Sequence, residues 1–245
     1  MSQSVEKFQN SQWKKLEKLN FSKNAILDIL HDGSVLDIGC GDGLLMEYLK
    51  KRGLECAGVD ISSQAISICA GRGLDCRQAD ITERLPFNNS SFDNVLLIDV
   101  LEHIFQPGEV LKEAYRVSRK FVFISVPNFV SLPARFQVFL GRVPENNTAR
   151  DGHVYWMTWR VILDLLTETG FKVVETQPNT FWEDVPIVCV VTTFLKRKWP
   201  SLFAPHQYVV AINDPSFVYP AKKLKEWVAD DHYKELLVIT GQRLQ

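Results

Sequence analysis

The chain has little of what marks an exported, membrane-bound or nucleic-acid-binding protein. Its five cysteines, Cys40, Cys56, Cys69, Cys76 and Cys189, are an odd number with no Cys-x-x-Cys pair. That usage argues against both a zinc site and a disulfide framework, and a reducing cytosol fits it best. Neither sign of charge is in excess. Lys plus Arg number 28 against 29 Asp plus Glu, and the net charge of -1 gives no general field for drawing nucleic acid or an anionic membrane. The basic clusters Lys50, Lys51, Arg52 and Lys196, Arg197, Lys198 read as solvated surface. Long hydrophobic runs are missing too. The longest, "VPIVCVVTTFL" from Val185 to Leu195, falls short of the roughly 20 residues of a membrane-spanning helix and reads as buried core. The opening "MSQSVEKFQNSQWKKLEKL" lacks the apolar core and cleavage site of an export signal, and no internal repeat or low-complexity segment is present.

What is present is enough apolar material, 46% of 245 residues, for one large core. From Val5 to Leu30 apolar residues recur at helical spacing up to Gly33, which predicts one or two helices leading into the core. Short apolar runs at 34–38, 55–60, 74–79, 94–98 and 120–126 then alternate with helical stretches at about 43–52, 62–71 and 107–117. This rhythm predicts strand-helix units and a parallel sheet. A further helix over 158–169 ends at Gly170, and "FKVVETQPNTFW" and "PHQYVVAIN" supply two more strands. Between the fifth strand and that helix, residues 127–157 form an excursion too long for an ordinary connection, with its own amphipathic turn around Arg135 to Leu140; lid and docking face are both open readings. Residues 1–213 are expected to form one domain, and 214–245 an extension beyond it.

The informative stretch is "VLDIGCGDG", Val35 to Gly43. Glycines at alternating positions just past a strand let a ligand approach the backbone closely. The ligand is not a dinucleotide, because G-x-G-x-x-G needs its last glycine three beyond the second, and here Gly39 and Gly41 are followed by Gly43. A phosphate loop is excluded as well, since "GCGDGLLM" has neither the Lys nor the Ser or Thr. Asp37, Asp42, Asp60, Asp80 and Asp99 all fall at or just past strand ends, with no Lys or Arg at those ends before Arg84. Such a site repels a pyrophosphate and suits a cation that carries ribose hydroxyls; S-adenosyl-L-methionine is such a ligand.

"VLDIGCGDG", "GVDIS" (58–62), "QADI" (78–81) and "FDNVLLIDVLEHI" (92–104) together resemble the successive motifs of class I S-adenosylmethionine-dependent methyltransferases. The resemblance implies a Rossmann-like, doubly wound α/β fold whose mostly parallel seven-stranded sheet has an antiparallel last strand. It implies that the backbone of Gly39 and Gly41 lies against the methionine portion of the cofactor and that Asp37 helps to hold its amino group. Asp60 would bind both ribose hydroxyls and Ile61 would pack on adenine; Asp80 would take the adenine amino group, the Ile81 backbone the ring edge, and Asp99 would floor the transferring methyl. The product would be S-adenosyl-L-homocysteine. Plainer readings stand beside these: Asp42 as the N-cap of the first helix, Asp60 and Asp80 as caps of their own loops, and Cys40 as a small filler with nothing near it to activate a thiol.

Methyl transfer from a sulfonium needs alignment more than acid-base chemistry. For a hydroxyl acceptor, His103 is the candidate base; the alternative is a helix-start histidine bonded to backbone. "RDGHVYWMT" resembles a segment that faces the acceptor in many class I methyltransferases, which makes His153, Tyr155 and Trp156 candidate substrate-pocket residues, or else core. "ISVPNFVSLPARFQVFLGRVP" (124–144) resembles a segment of MetW-like proteins of methionine biosynthesis, although the residues that follow depart from that pattern. Two functions follow as expectations. One is a cytoplasmic methyltransferase acting on a small molecule, without nucleic acid, metal or membrane span. The other is a cofactor-binding regulatory partner of a metabolic enzyme, with an enzyme partner or homodimer as its assembly. A nicotinamide-dependent oxidoreductase shares the sheet but lacks the glycine register.

Overall fold

A computed structural model describes Asn10, Leu19, Leu30, residues 32–144 and 152–178, Leu195 and residues 199–213. Its centre is a seven-stranded sheet built from β1 (Val35–Ile38), β2 (Cys56–Asp60), β3 (Asp75–Gln78), β4 (Phe92–Ile98), β5 (Ser118–Pro127), β6 (Lys172–Pro178) and β7 (His206–Ile212). The strand order is β3-β2-β1-β4-β5-β7-β6. The first five strands are parallel, and β7 runs antiparallel between β5 and β6. The chain thus has the expected doubly wound α/β architecture with its late antiparallel strand.

Among the described residues the helices are α1 (Leu44–Lys51), α2 (Ser63–Gly71), α3 (Pro107–Val117), α4 (Leu132–Phe139), α5 (Trp159–Glu168) and the short α6 (Pro200–Phe203). Their starts follow from local chemistry. Ser62 accepts the backbone N–H of Ala65 to cap α2, Thr158 does the same for Val161 at α5, and α3 opens on Pro107, whose missing N–H costs nothing there. Gly170 follows α5 in the left-handed region (φ 87°) and stops it. Alternate residues of the central strands feed the two faces of the sheet. Leu36, Ile38, Val95, Leu97, Val122 and Ile124 pack with Val110 and Leu111 of α3 and Ile162 and Leu166 of α5. Val35, Leu96, Ile98, Phe123 and Val210 pack with Leu45 and Leu49 of α1. By contrast β3 forms an edge, and its exposed Asp75 and Arg77 discourage pairing with another chain.

Two details differ from expectation. The residue preceding α1 is Gly43 in a left-handed conformation, not Asp42 as a cap. Asp42 instead accepts the N–H of Leu44 at 3.3 Å and is ion-paired, fully buried, with Arg72 at 2.9 Å. The amphipathic turn expected around Arg135 to Leu140 is the helix α4. The helices expected over Val5 to Leu30, the run from Val185 to Leu195 and the extension 214–245 lie outside the described residues, apart from Asn10, Leu19, Leu30 and Leu195. Among the described residues no helix is long and apolar enough to cross a membrane.

Candidate functional site

Connections from β1 run toward β2 on one side, while β4 lies on the other, so the carboxyl ends of these neighbours open onto the switch point where ligands bind in open α/β sheets. The glycine loop sits there. Gly39 (φ 77°), Gly41 (φ 56°) and Gly43 (φ 73°) all adopt left-handed backbone, which explains their alternation without any ligand. Room is short as well. A Cβ on Gly39 would meet Val100 Cγ2 at 2.6 Å, and one on Gly43 would meet Leu74 Cδ1 at 2.6 Å and Cys69 Sγ at 2.8 Å. The loop is held in place by N–H groups of Gly39 and Cys40, which both donate to the carbonyl of Val59 at the end of β2.

Around this loop the sheet gathers the predicted carboxylates. Asp37 is buried within β1. Asp60 ends β2 and fastens two segments at once: its Oδ2 accepts the N–H of Gly41 at 2.9 Å and its Oδ1 the N–H of Ser62 at 2.8 Å. Beside it, the Ile61 carbonyl accepts the side-chain amide of Gln78. Asp80, just past β3, accepts the backbone N–H and hydroxyl of Thr82; burial pushes its pKa up, but the hydrogen bonds from Thr82 act against this and the carboxyl lies below its usual range. Ile81 turns its side chain into the core. The capping readings of Asp60 and Asp80 are therefore real contacts.

Asp99 follows β4 with φ 56°, a conformation that non-glycine residues seldom hold, and its Oδ1 accepts the Ser125 hydroxyl at 2.7 Å. A one-turn 3-10 helix (Leu101–His103) comes next. There His103 and His153 meet edge to face with ring centroids 4.8 Å apart, and His103 Nδ1 lies 3.2 Å from the carbonyl of Gly152. The excursion is pinned to the same turn, because the N–H groups of Val154 and Tyr155 both donate to the Glu102 carbonyl. His103 and His153 are thus brought together. Tyr155 packs against the core, and Trp156 is 60% exposed, stacked on Phe129 at 4.8 Å, so these two do not join them in a single wall.

Two members of this neighbourhood were not legible as site residues. Glu102 is 1% exposed with Oε2 unpartnered, and burial, reinforced by the nearby Asp99, pushes its carboxyl well above the usual range. His206 opens β7, and the antiparallel register sets it beside Pro127 at the end of β5. Burial lowers its imidazole below the usual value, with Asp99 opposing and His153 adding to the shift. A period-2 strand pattern for "PHQYVVAIN" carries no sign of direction; the antiparallel last strand that the resemblance implies puts His206 at this end of the sheet, next to Pro127.

The family described as methionine biosynthesis protein MetW matches residues 21–158, more than half of the 245. A ubiquinone biosynthesis O-methyltransferase of Hahella chejuensis is 31% identical over 118 residues, 44% of this chain and 50% of that one. A bifunctional methionine biosynthesis protein MetXA/MetW of Rhodopirellula baltica is 34% identical over 139 residues, 52% of this chain and 22% of that one. The chain therefore spans half or less of the length of these curated relatives. Among solved structures, a SAM-dependent methyltransferase from Archaeoglobus fulgidus superposes with a TM-score of 0.60 at 22% identity, covering 78% of this chain and 92% of that one, which shows a shared fold.

Proposed function

Because the chain belongs to the family of methionine biosynthesis protein MetW, we propose that it is an S-adenosyl-L-methionine-dependent methyltransferase acting on a small-molecule acceptor. The observation that carries this reading is the convergence of Asp37, Asp60 and Asp99 with the left-handed glycine loop at the switch point of a methyltransferase-type sheet.

When bound, the cofactor supplies a methyl group on a positively charged sulfur, ready for in-line displacement. The chain's residues then have separate tasks. Gly39 and Gly41 present backbone to the methionine portion, and Asp37 holds its amino group. Asp60, already fixed by Gly41 and Ser62, takes the ribose hydroxyls, a charge-assisted contact. Ile61 packs on adenine, while Asp80 and the Ile81 backbone read its edge. Asp99 would line the floor of the site, its carboxylate favouring a positively charged sulfur. His103, oriented by its contact with the Gly152 carbonyl, takes the proton of a hydroxyl acceptor, and His153, Tyr155 and Trp156 lie on the acceptor side. The domain division belongs to the same proposal: removing residues 214–245 leaves cofactor binding intact.

Incubation with methyl-tritiated cofactor and a metabolite extract tests the reading. Label in a small molecule supports it; cofactor binding without labelled product, over a broad acceptor set, removes the catalytic part.

A second reading, a cofactor-binding regulatory subunit of a metabolic enzyme, is favoured by one observation. The excursion exposes Phe136 (60%) and Phe139 (83%) of α4 near its turn at Gly141, an apolar surface of the kind that docks a partner. The fusion named MetXA/MetW in a relative gives the class of partner. Co-purification with such an enzyme, abolished by Phe139→Asp, separates this reading from the first.

A further inference from the structure

Beside the glycine loop, sulfur atoms converge from four segments. Cys40 comes from the loop, Met46 from α1 and Cys69 from α2 to form a buried apolar cluster, and Cys76 of β3 packs against it. The thiol sulfurs of Cys40, Cys69 and Cys76 all lie within 4.8 Å of one another. Met46 Sδ is 3.7 Å from Cys76 Sγ. Gly58 makes the convergence possible: a Cβ there would meet Met46 Sδ at 2.6 Å and Cys40 Sγ at 2.8 Å. No reading of cysteine spacing finds this group, since positions 40, 69 and 76 meet only once β3 pairs with β2.

We propose that Cys40, Cys69 and Cys76, with the Met46 thioether alongside, form a binding site for a thiophilic cation, Zn(II) or Cu(I). Thiolates at about 2.3 Å from a common metal sit about 3.8 to 4.0 Å from each other, so sulfurs that lie within 4.8 Å of one another need to contract by at most about an ångström. An all-sulfur donor set selects soft cations and disfavours magnesium or calcium. Cys40 and Cys69 are buried, while Cys76 is half-exposed on the edge strand and gives the metal its way in. Binding displaces the thiol protons to solvent and involves no change of oxidation state. The site is coupled to the glycine loop through Cys40 itself and through the Cys69 thiol, which donates to the Gly41 carbonyl at 3.3 Å.

The full-length reduced protein, titrated separately with Zn(II) against a chromophoric chelator and with Cu(I) against a Cu(I)-specific one, tests the site. One equivalent of one cation bound, with affinity reduced at least tenfold in Cys69→Ser and in Cys76→Ser but unchanged in Cys56→Ser and Cys189→Ser, is the expected result. Preference for Zn(II) or for Cu(I) identifies the cation. On the unaltered protein, so that no variant needs to fold, the bound cation slows alkylation of Cys76 and leaves the equally half-buried Cys56 unchanged. Absence of stoichiometric binding by either cation, binding that survives both substitutions, or alkylation of Cys76 and Cys56 slowed alike would overturn the proposal.

Discussion

Gly41 and Asp60, nineteen residues apart, are joined by a 2.9 Å hydrogen bond from the glycine N–H to the carboxylate that ends the neighbouring strand. The contact makes the aspartate both a strut of the glycine loop and the proposed ribose acceptor. Replacing Asp60 by Ala orphans two buried N–H groups, those of Gly41 and Ser62. The expected loss is about 1 to 3 kcal/mol of affinity for S-adenosylhomocysteine by calorimetry, accompanied by a lower urea midpoint without ligand. Unchanged affinity contradicts the ribose assignment even where stability falls.

Gly39 tests whether the loop's shape belongs to the fold. Its φ of 77° and the 2.6 Å approach of Val100 Cγ2 oppose any side chain. Gly39→Ala is expected to destabilise the protein by about 1 to 3 kcal/mol in urea unfolding. Adding Val100→Ala relieves the collision but not the backbone strain, so the double variant recovers only part of the loss. Full recovery would show that the positive φ carries no cost.

Glu102 and His206 give opposite pH dependences. A glutamate whose folded-state value lies above its ordinary 4.5 keeps its proton in the native protein while the unfolded chain loses it, so stability falls as pH rises above about 4.5 until the folded value is passed. The slope approaches about 1.4 kcal/mol per pH unit where only the unfolded state has ionised. Glu102→Gln removes this loss, and its stability relative to the native sequence grows with pH above that point. His206, depressed from 6.5, contributes stability that is full above 6.5 and is lost as pH falls through the folded value. His206→Gln flattens that acid limb. Denaturation curves across pH 4 to 9 check both signs (about the ordinary ranges of these groups).

For catalysis, His103→Gln is expected to lower the methyl-transfer rate by about 10²- to 10⁴-fold on a hydroxyl acceptor, with cofactor affinity unchanged. An unaltered rate excludes His103 as base and leaves its contact with the Gly152 carbonyl as a structural one.

Much of the fold was legible because strand-helix alternation is a local pattern. The run at 34–38 is β1, that at 120–126 lies inside β5, and the helix expected over 107–117 has those bounds. The carboxylates were legible for the same reason, each being tied to the end of a strand. What stayed hidden depended on contacts between distant segments. Asp42 also pairs with Arg72, thirty positions away. Glu102 reads as an ordinary exposed glutamate until the turn at Leu101–His103 buries it, and His206 reaches the site only through the reversed direction of β7. The three thiols meet only across paired strands.

The central claim is a carboxylate-rich cradle for a sulfonium nucleoside at the ends of β1, β2 and β4. Isothermal titration of the protein with S-adenosylhomocysteine, S-adenosylmethionine and NADH tests it most directly. The account predicts one equivalent of each adenosyl ligand bound, with binding weakened in Asp60→Ala, and no binding of NADH. Binding of NADH, with neither adenosyl ligand bound, would contradict it.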